Sequence, residues 1–471
     1  MRRRLFVFLD GTWNDPFRVD RDSNVVRLRD IVSKSIARPK YPDTIELVRE
    51  LNDKQTEFGA IRSTDYEYVI FYERGVGTGP AIDRVLGGLT GRGLELNIRR
   101  AYRFLCAKYR EGDEIFIYGF SRGAFTARSL VGLIGSSGLL KEEYCTAEYE
   151  EKAWRFYRQR PNDRLSGDRI FLDRYIHSRN KTRVSCLAIF DTVGALGVPL
   201  TLLNLVNRAR YEFHDIELSP IVDLNLHALA IDECRAEFPA GVWRRNKYKS
   251  VNAIVEQVWF PGVHSDIGGG YYNEHDRNRL VVRGIDDISL DWMVKRLRQY
   301  FPDFPVSNDA FNSFLPKSEL SVQHDSRTLK FKLRARAVRS IGNLVPVVRW
   351  REKVVSHDRS HFVIGESVHI SAIERLGRLV AEGAKKKLYA PPNLIECFPN
   401  LYARYVSSRG IVWPKDSLSI VDWNGRVVPT SLEDVAVGES AEDSPRFAND
   451  AVVVALREAR RRLIECRVIP A

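Results

Sequence analysis

Five short apolar runs set the terms for this chain: LFVFLD from Leu5, YVIFYE from Tyr68, EIFIYG from Glu114, VSCLAIFD from Val184 and VEQVWFPG from Val255. Each is rich in β-branched or aromatic residues and closes on a small or acidic one, which is how buried strands of a parallel sheet read. Between them, GLELNIRRAYRFLCAKYR, RGAFTARSLVGLIGSS and IVDLNLHALAIDECRAEF return apolar residues every three or four positions, the pattern of amphipathic helices. Strands alternating with helices predict a layered α/β fold, a mostly parallel sheet flanked by helices. The charged stretches 31–66 and 141–183 read as insertions or peripheral helices. After residue 395 short strand patterns and a closing helix begin anew, so the expected division is a catalytic body, residues 1–395, and a small C-terminal appendage, residues 396–471.

At 471 residues and 44% hydrophobic composition the chain can bury a large core. Its six cysteines lack C-x-x-C spacing and several sit in apolar runs, so reduced buried thiols are expected rather than a disulfide framework or zinc site. The opening MRRRLFVFLDG has too short an apolar stretch for a signal peptide, and no run is long enough for a membrane span. A cytoplasmic protein is expected, with export by a specialised secretion system left open. The formal charge of +12 is compatible with transient contact at an anionic membrane surface, but scattered solvated lysines and arginines explain it equally well, and no nucleic acid is expected.

Ligands of such sheets bind beyond the carboxyl ends of the strands. Gly119-Phe120-Ser121-Arg122-Gly123 stands there, between a strand pattern and a helix pattern. G-x-S-x-G alone is a weak signal. In the order strand, turn, helix it describes a nucleophile elbow, with Ser121 on a strained turn and the Arg122 N–H at the helix start as first oxyanion donor. A serine needs a base, and the base needs an orienting acid. Asp191 ends the strand VSCLAIF; an Asx turn is the competing explanation. Among nine histidines His264 is the best placed base, because it follows a strand and precedes three glycines. His227 is read as mid-helix and structural. Asp266 is read as an acceptor standing behind the site, an orienting acid or a loop-stabilising carboxylate. His264 and Asp266 lack a further ligand at convincing spacing, so no metal is expected.

Gly11 or Thr12, after the first strand, is the candidate second oxyanion donor. LDGT also hints at an aspartyl phosphatase, but Phe8 occupies the position its nucleophile requires. The glycine-rich YERGVGTG fits neither a dinucleotide fingerprint nor a Walker loop and reads as a pocket wall. No cofactor is expected.

FLDGTWND, SNVVRL, YERGVGTG, the stretch from GRGLELN through IYGFSRGAFTARSL to SSGLL, FDTVGALG, HALAIDECRAEF, VWFPGVHSDIGGGY and ESVHISAIERL with YAPPNL together resemble the α/β-hydrolase domain of type VI secretion phospholipase effectors, with gaps, from about residue 4 to about residue 395. The resemblance implies an α/β-hydrolase-like fold and a serine esterase or lipase acting on phospholipid acyl esters. It carries the nucleophile onto Ser121, the acid onto Asp191 and the base onto His264, and it implies a secretion or immunity partner of unknown identity. A small-ester or amide hydrolase without lipid preference, and a binding module on the same fold, are the alternatives. The apolar segment 196–206, followed by Arg208 and Arg210, is the candidate acyl-chain surface or else a buried helix.

Overall fold

All five apolar runs are strands of one sheet. The computed structural model describes residues 1–11, 22–36, 56–62, 65–75, 91–159, 161–193, 218–236, 238–246, 253–270, 284–312, 321–326, 337–341, 361–382, 385–395, 397, 418–428 and 451–468. Ten strands are numbered here in chain order: β1 Arg2–Leu9, β2 Thr56–Arg62, β3 Tyr66–Glu73, β4 Glu114–Phe120, β5 Val184–Phe190, β6 Val222–Ala230, β7 Ile254–Phe260, β8 Glu366–His369, β9 Ser419–Val421 and β10 Val427–Val428. Across the sheet they run β10-β9-β8-β7-β6-β5-β4-β1-β3-β2. Every pairing is parallel except the outermost at each edge, β2 with β3 and β9 with β10. A mostly parallel sheet must be covered on both faces. β1 shows how: Phe6 and Phe8 enter one apolar cluster, Leu5, Val7 and Leu9 the other.

Helices α1 (Asn24–Ile36) and α5 (Asp286–Tyr300) close the first face; α2 (Gly91–Lys108), α3 (Arg122–Ser137) and α4 (Ala147–Arg158) close the second. Two of the three expected helices are therefore α2 and α3. The third is not a helix. VDLNLHALA is β6, in the middle of the sheet, with its alternate residues Leu224, Leu226, Ala228 and Ala230 in the first-face cluster. The period-two pattern lay in the same letters as the helical one. Burial on both faces filled the intervening positions with uncharged residues and disguised it.

Described residues beyond 395 extend the sheet edge. β9 continues the ladder from β8, and helix α6 (Ala451–Glu465) buries Val452, Leu456, Ala459 and Leu463 against the side chains of Ile370, Ile373 and Leu376. Arg462 ties that helix down through hydrogen bonds to the carbonyls of Ile373, Glu374 and Leu376. Among the described residues no helix is long and apolar enough to cross a membrane.

Candidate active site

Ser121 closes β4 and is the N-cap of α3, with φ +57° and ψ −122°, a region that a side chain enters only under strain. The surroundings hold it there. Its N–H donates to the Phe190 carbonyl at 3.1 Å and its own carbonyl accepts from Phe125 N–H at 3.2 Å. The flanking glycines are required sterically: a Cβ at Gly119 would lie 2.7 Å from the Ala124 backbone, and one at Gly123 would lie 2.1 Å from the Leu9 carbonyl oxygen. The elbow exists because α3 lies directly on the ends of β1 and β4.

Three side chains from separate strand ends meet at this turn. Ser121 Oγ is 2.8 Å from His264 Nε2, and His264 Nδ1 is 2.6 Å from Asp191 Oδ2. These partners assign the tautomer: Nδ1–H donates to the carboxylate and Nε2 accepts from the hydroxyl. His264 begins a short helical turn, His264–Gly268, after β7, and its ring packs against Phe120 and Phe238. A Cβ at Gly268 would strike the Phe120 ring at 1.9 Å, so the first of the three glycines lets the aromatic wall stand. Burial lowers the His264 pKa, against the pull of Asp191.

Asp191 is wholly buried at the end of β5, with φ +32°. Its carboxylate serves no Asx turn. Oδ1 accepts from Ala230 N–H at 2.9 Å and from Arg339 Nη1 at 2.6 Å; Oδ2 accepts from Arg339 Nη2 at 2.9 Å as well as from His264. Burial alone would push its pKa up, but the Arg339 charge and the His264 bond outweigh it and hold the carboxyl well below the usual range. Nothing around Arg339 in the sequence marks it, since the run KLRARAVRS offers several basic residues alike.

His227, on β6, lies beside this line rather than in it. Its Nε2 accepts from Thr192 N–H at 3.2 Å, its ring meets Trp243 edge to face, and burial together with Arg128 lowers its pKa to about 3. It is a neutral acceptor that steadies the turn after Asp191. Asp266 does not reach the His264 ring: it accepts from Val263 N–H at 3.0 Å, from His324 N–H at 3.1 Å and from His324 Nδ1 at 2.6 Å. Of its three readings the loop-stabilising carboxylate is the one this geometry fits. Glu233, which the sequence reading passed over, accepts from the His264 backbone N–H at 3.2 Å and from Arg235 and Ser326.

Arg122 is the first residue of α3, its amide at the helix end that favours negative charge. Gly11 is placed differently from expectation. Its N–H donates to Asp10 Oδ1 at 2.6 Å, within a buried set in which Asp10 also accepts from Ser23 Oγ and Tyr72 Oη. Thr12 and the segment 194–217 lie outside the described residues. Asn24 explains the SNVVRL motif: its amide donates to the carbonyls of Ile267 and Asp286, so α1 clamps the His264 loop. A cavity of about 130 Å³ lies behind that loop, walled by Asp232, Glu233, Val263, His324 and Tyr389. Ser121, His264 and Asp191 do not line it. Among the described residues no group of three or more potential ligands could hold a metal ion.

A mostly parallel, helix-flanked sheet with a serine on a strained strand-to-helix turn and a histidine and aspartate from later strand ends defines the α/β-hydrolase-like class of fold. Residues 3–296 match the family model for the catalytic domain of Tle1-like phospholipase effectors of the type VI secretion system, and the chain belongs to that family. A curated relative, the uncharacterized protein YEL023C of Saccharomyces cerevisiae, is 26% identical over 193 residues, covering 36% of this chain and 27% of its own length. The chain thus spans about a quarter of that relative. A solved structure of the Tle1 effector bound to the VgrG spike aligns at 15% identity with a TM-score of 0.36, covering 68% of this chain and 77% of that one.

Proposed function

We propose that this protein is a serine hydrolase of carboxylic esters, with phospholipid acyl esters as its substrate class. The observation that carries the reading is the unbroken hydrogen-bond line from Ser121 Oγ through His264 to Asp191, set on a strained elbow. His264 Nε2 takes the hydroxyl proton as Ser121 Oγ attacks the acyl carbonyl, and Asp191 stabilises the imidazolium that forms. The oxyanion of the tetrahedral intermediate is held by Arg122 N–H and by a second amide from the loop after β1. Gly11 and Thr12 are the candidates for that second donor, and because Asp10 engages the Gly11 amide we propose Thr12 of the two. Collapse expels the alcohol, which takes the proton from His264, and leaves an acyl-serine. Water, deprotonated by the same histidine, releases the fatty acid and restores the hydroxyl.

The lipid preference rests on the phospholipase description of the family and on the apolar segment 196–206 with Arg208 and Arg210, offered as acyl-chain and phosphate contacts. Residues 1–395 form the proposed hydrolase body and residues 396–471 the accessory segment on its sheet edge. Delivery by a type VI secretion machine is proposed from the family alone.

A fluorophosphonate probe tests the nucleophile, because it labels only an activated serine. Labelling of the intact chain and its loss in Ser121→Ala are expected. An unlabelled wild-type protein points to a binding module. Efficiency that rises with acyl length and again on anionic bilayers supports the lipid reading, whereas a flat profile makes this a small-ester hydrolase.

A further inference from the structure

We propose that Arg339 is a positioning residue of the reaction: its guanidinium fork fixes the Asp191 carboxylate and offsets its charge, so that the Asp191–His264 pair holds one proton rather than two at working pH. The proposal rests on the reading of Ser121 as nucleophile. Arg339 lies beyond the residues matched by the family's catalytic-domain model, which end at 296.

The geometry is that of a fixed fork. Nη1 donates to Asp191 Oδ1 and to the Ala230 carbonyl, Nη2 to Asp191 Oδ2 and to the Phe238 carbonyl, and Nε to the Phe238 carbonyl. All five N–H directions of a guanidinium are accounted for, so the group cannot turn without losing bonds. Its backbone is pinned as well. Ala337 N–H donates to the Cys234 carbonyl at 2.9 Å, and the Arg339 carbonyl accepts from Asn393 Nδ2 at 3.1 Å. Asp191 and Arg339 are both buried, which leaves little water to screen their charges.

A buried carboxylate paired only with an imidazole draws a second proton onto the pair, and a protonated His264 cannot accept from Ser121. A guanidinium on both carboxylate oxygens opposes that second proton. The other charged groups facing the pair are Glu233 and Arg235, from the loop after β6, and Arg128, from α3 by way of His227. Glu233 and Arg235 form a salt bridge of their own at 2.9 Å, and Arg128 donates to the Gly241 carbonyl. Arg339 alone salt-bridges Asp191 directly among the described arginines.

The test uses the full chain, ¹⁵N-labelled at histidine, with Arg339→Gln and Arg339→Lys. In the wild type His264 should titrate below the ordinary histidine value of about 6.5. In Arg339→Gln its titration, and with it the acid limb of kcat/KM on a short soluble ester, should move up by about 1–2 pH units. Arg339→Lys should keep the acid limb near wild type while kcat falls about tenfold, because a point charge does not hold two oxygens in one plane. A folded Arg339→Gln variant with neither titration nor acid limb moved overturns the proposal. If that variant does not fold, Arg339→Lys decides: a folded protein with undiminished kcat overturns it. The titration needs no turnover and can be repeated in a Ser121→Ala background. A shift there in a chain that hydrolyses no ester defeats the esterase reading alone; an unmoved titration in an active enzyme defeats the role of Arg339 alone.

Discussion

Two histidines in this protein hold an aspartate through Nδ1 at the same 2.6 Å, yet their settings differ. His264 reaches Asp191 from one side and Ser121 from the other, and its partner also carries the Arg339 fork. His324 reaches Asp266, whose other oxygen accepts from the backbone N–H of Val263, in the loop that carries His264, and from that of His324 itself. The side chain of His324 is 22% exposed against 6% for His264. Burial raises the Asp266 pKa, whereas at Asp191 the cation beside it reverses the same tendency. A histidine–aspartate pair is therefore no signature of chemistry in itself. On the proposed reading, what stands on the far nitrogen and which countercharge backs the carboxylate separate a base from a latch.

The comparison breaks most visibly at turnover. Ser121→Ala or His264→Ala should each lower kcat by about 10⁴- to 10⁶-fold with the fold intact, as judged by steady-state rates and a melting curve. Asp191→Asn should lose about 10³- to 10⁴-fold, because an amide at that position favours the wrong imidazole tautomer. By contrast, Asp266→Asn should act on stability: a loss of about 1–3 kcal/mol in denaturant unfolding, with kcat changed severalfold at most. A kcat collapse in a folded Asp266→Asn protein would move that pair into the reacting site and erase the distinction.

The two aspartates should also respond oppositely to pH. Asp191 has a folded-state pKa below its unfolded value, so its contribution to stability is present above about pH 4 and is lost as pH falls toward the depressed folded value. Asp266 is shifted the other way. It favours the folded state below about pH 4, and that advantage disappears as pH rises through its raised value. Melting temperatures taken from about pH 3 to pH 7 should therefore show the wild-type advantage over Asp191→Asn growing with pH. The advantage over Asp266→Asn should shrink. Asp232, raised to about 7 by burial, supplies the smallest effect: the wild type should lose stability between about pH 4 and pH 7 relative to Asp232→Asn. Parallel curves for all three would mean that the charges are not compensated as described.

The sequence by itself determined the strands that end at the site. Runs such as LFVFLD and EIFIYG are short, rich in β-branched and aromatic residues and closed by a small or acidic residue, which favours strands over helices, and G-F-S-R-G between a strand and a helix needs both glycines for the same backbone contacts that strain Ser121. The positions of Asp191 and His264 were legible for the same reason, since a polar residue closing a buried parallel strand lies at the rim where ligands bind. Tertiary structure decided what is carried by contacts distant in the chain. His227 belongs to a strand because β5 and β7 pair on either side of it, which decides between the two periods its stretch carries. Asp10, which engages the Gly11 amide, is held by Tyr72, 62 residues away, and Asp266 is held by His324, 58 residues away. Arg339, 148 residues beyond Asp191, is one arginine among several until the fold buries it on that carboxylate. Local pattern encodes which residues are buried and where a strand stops; which charge is left facing which is fixed only when the strand ends are brought together.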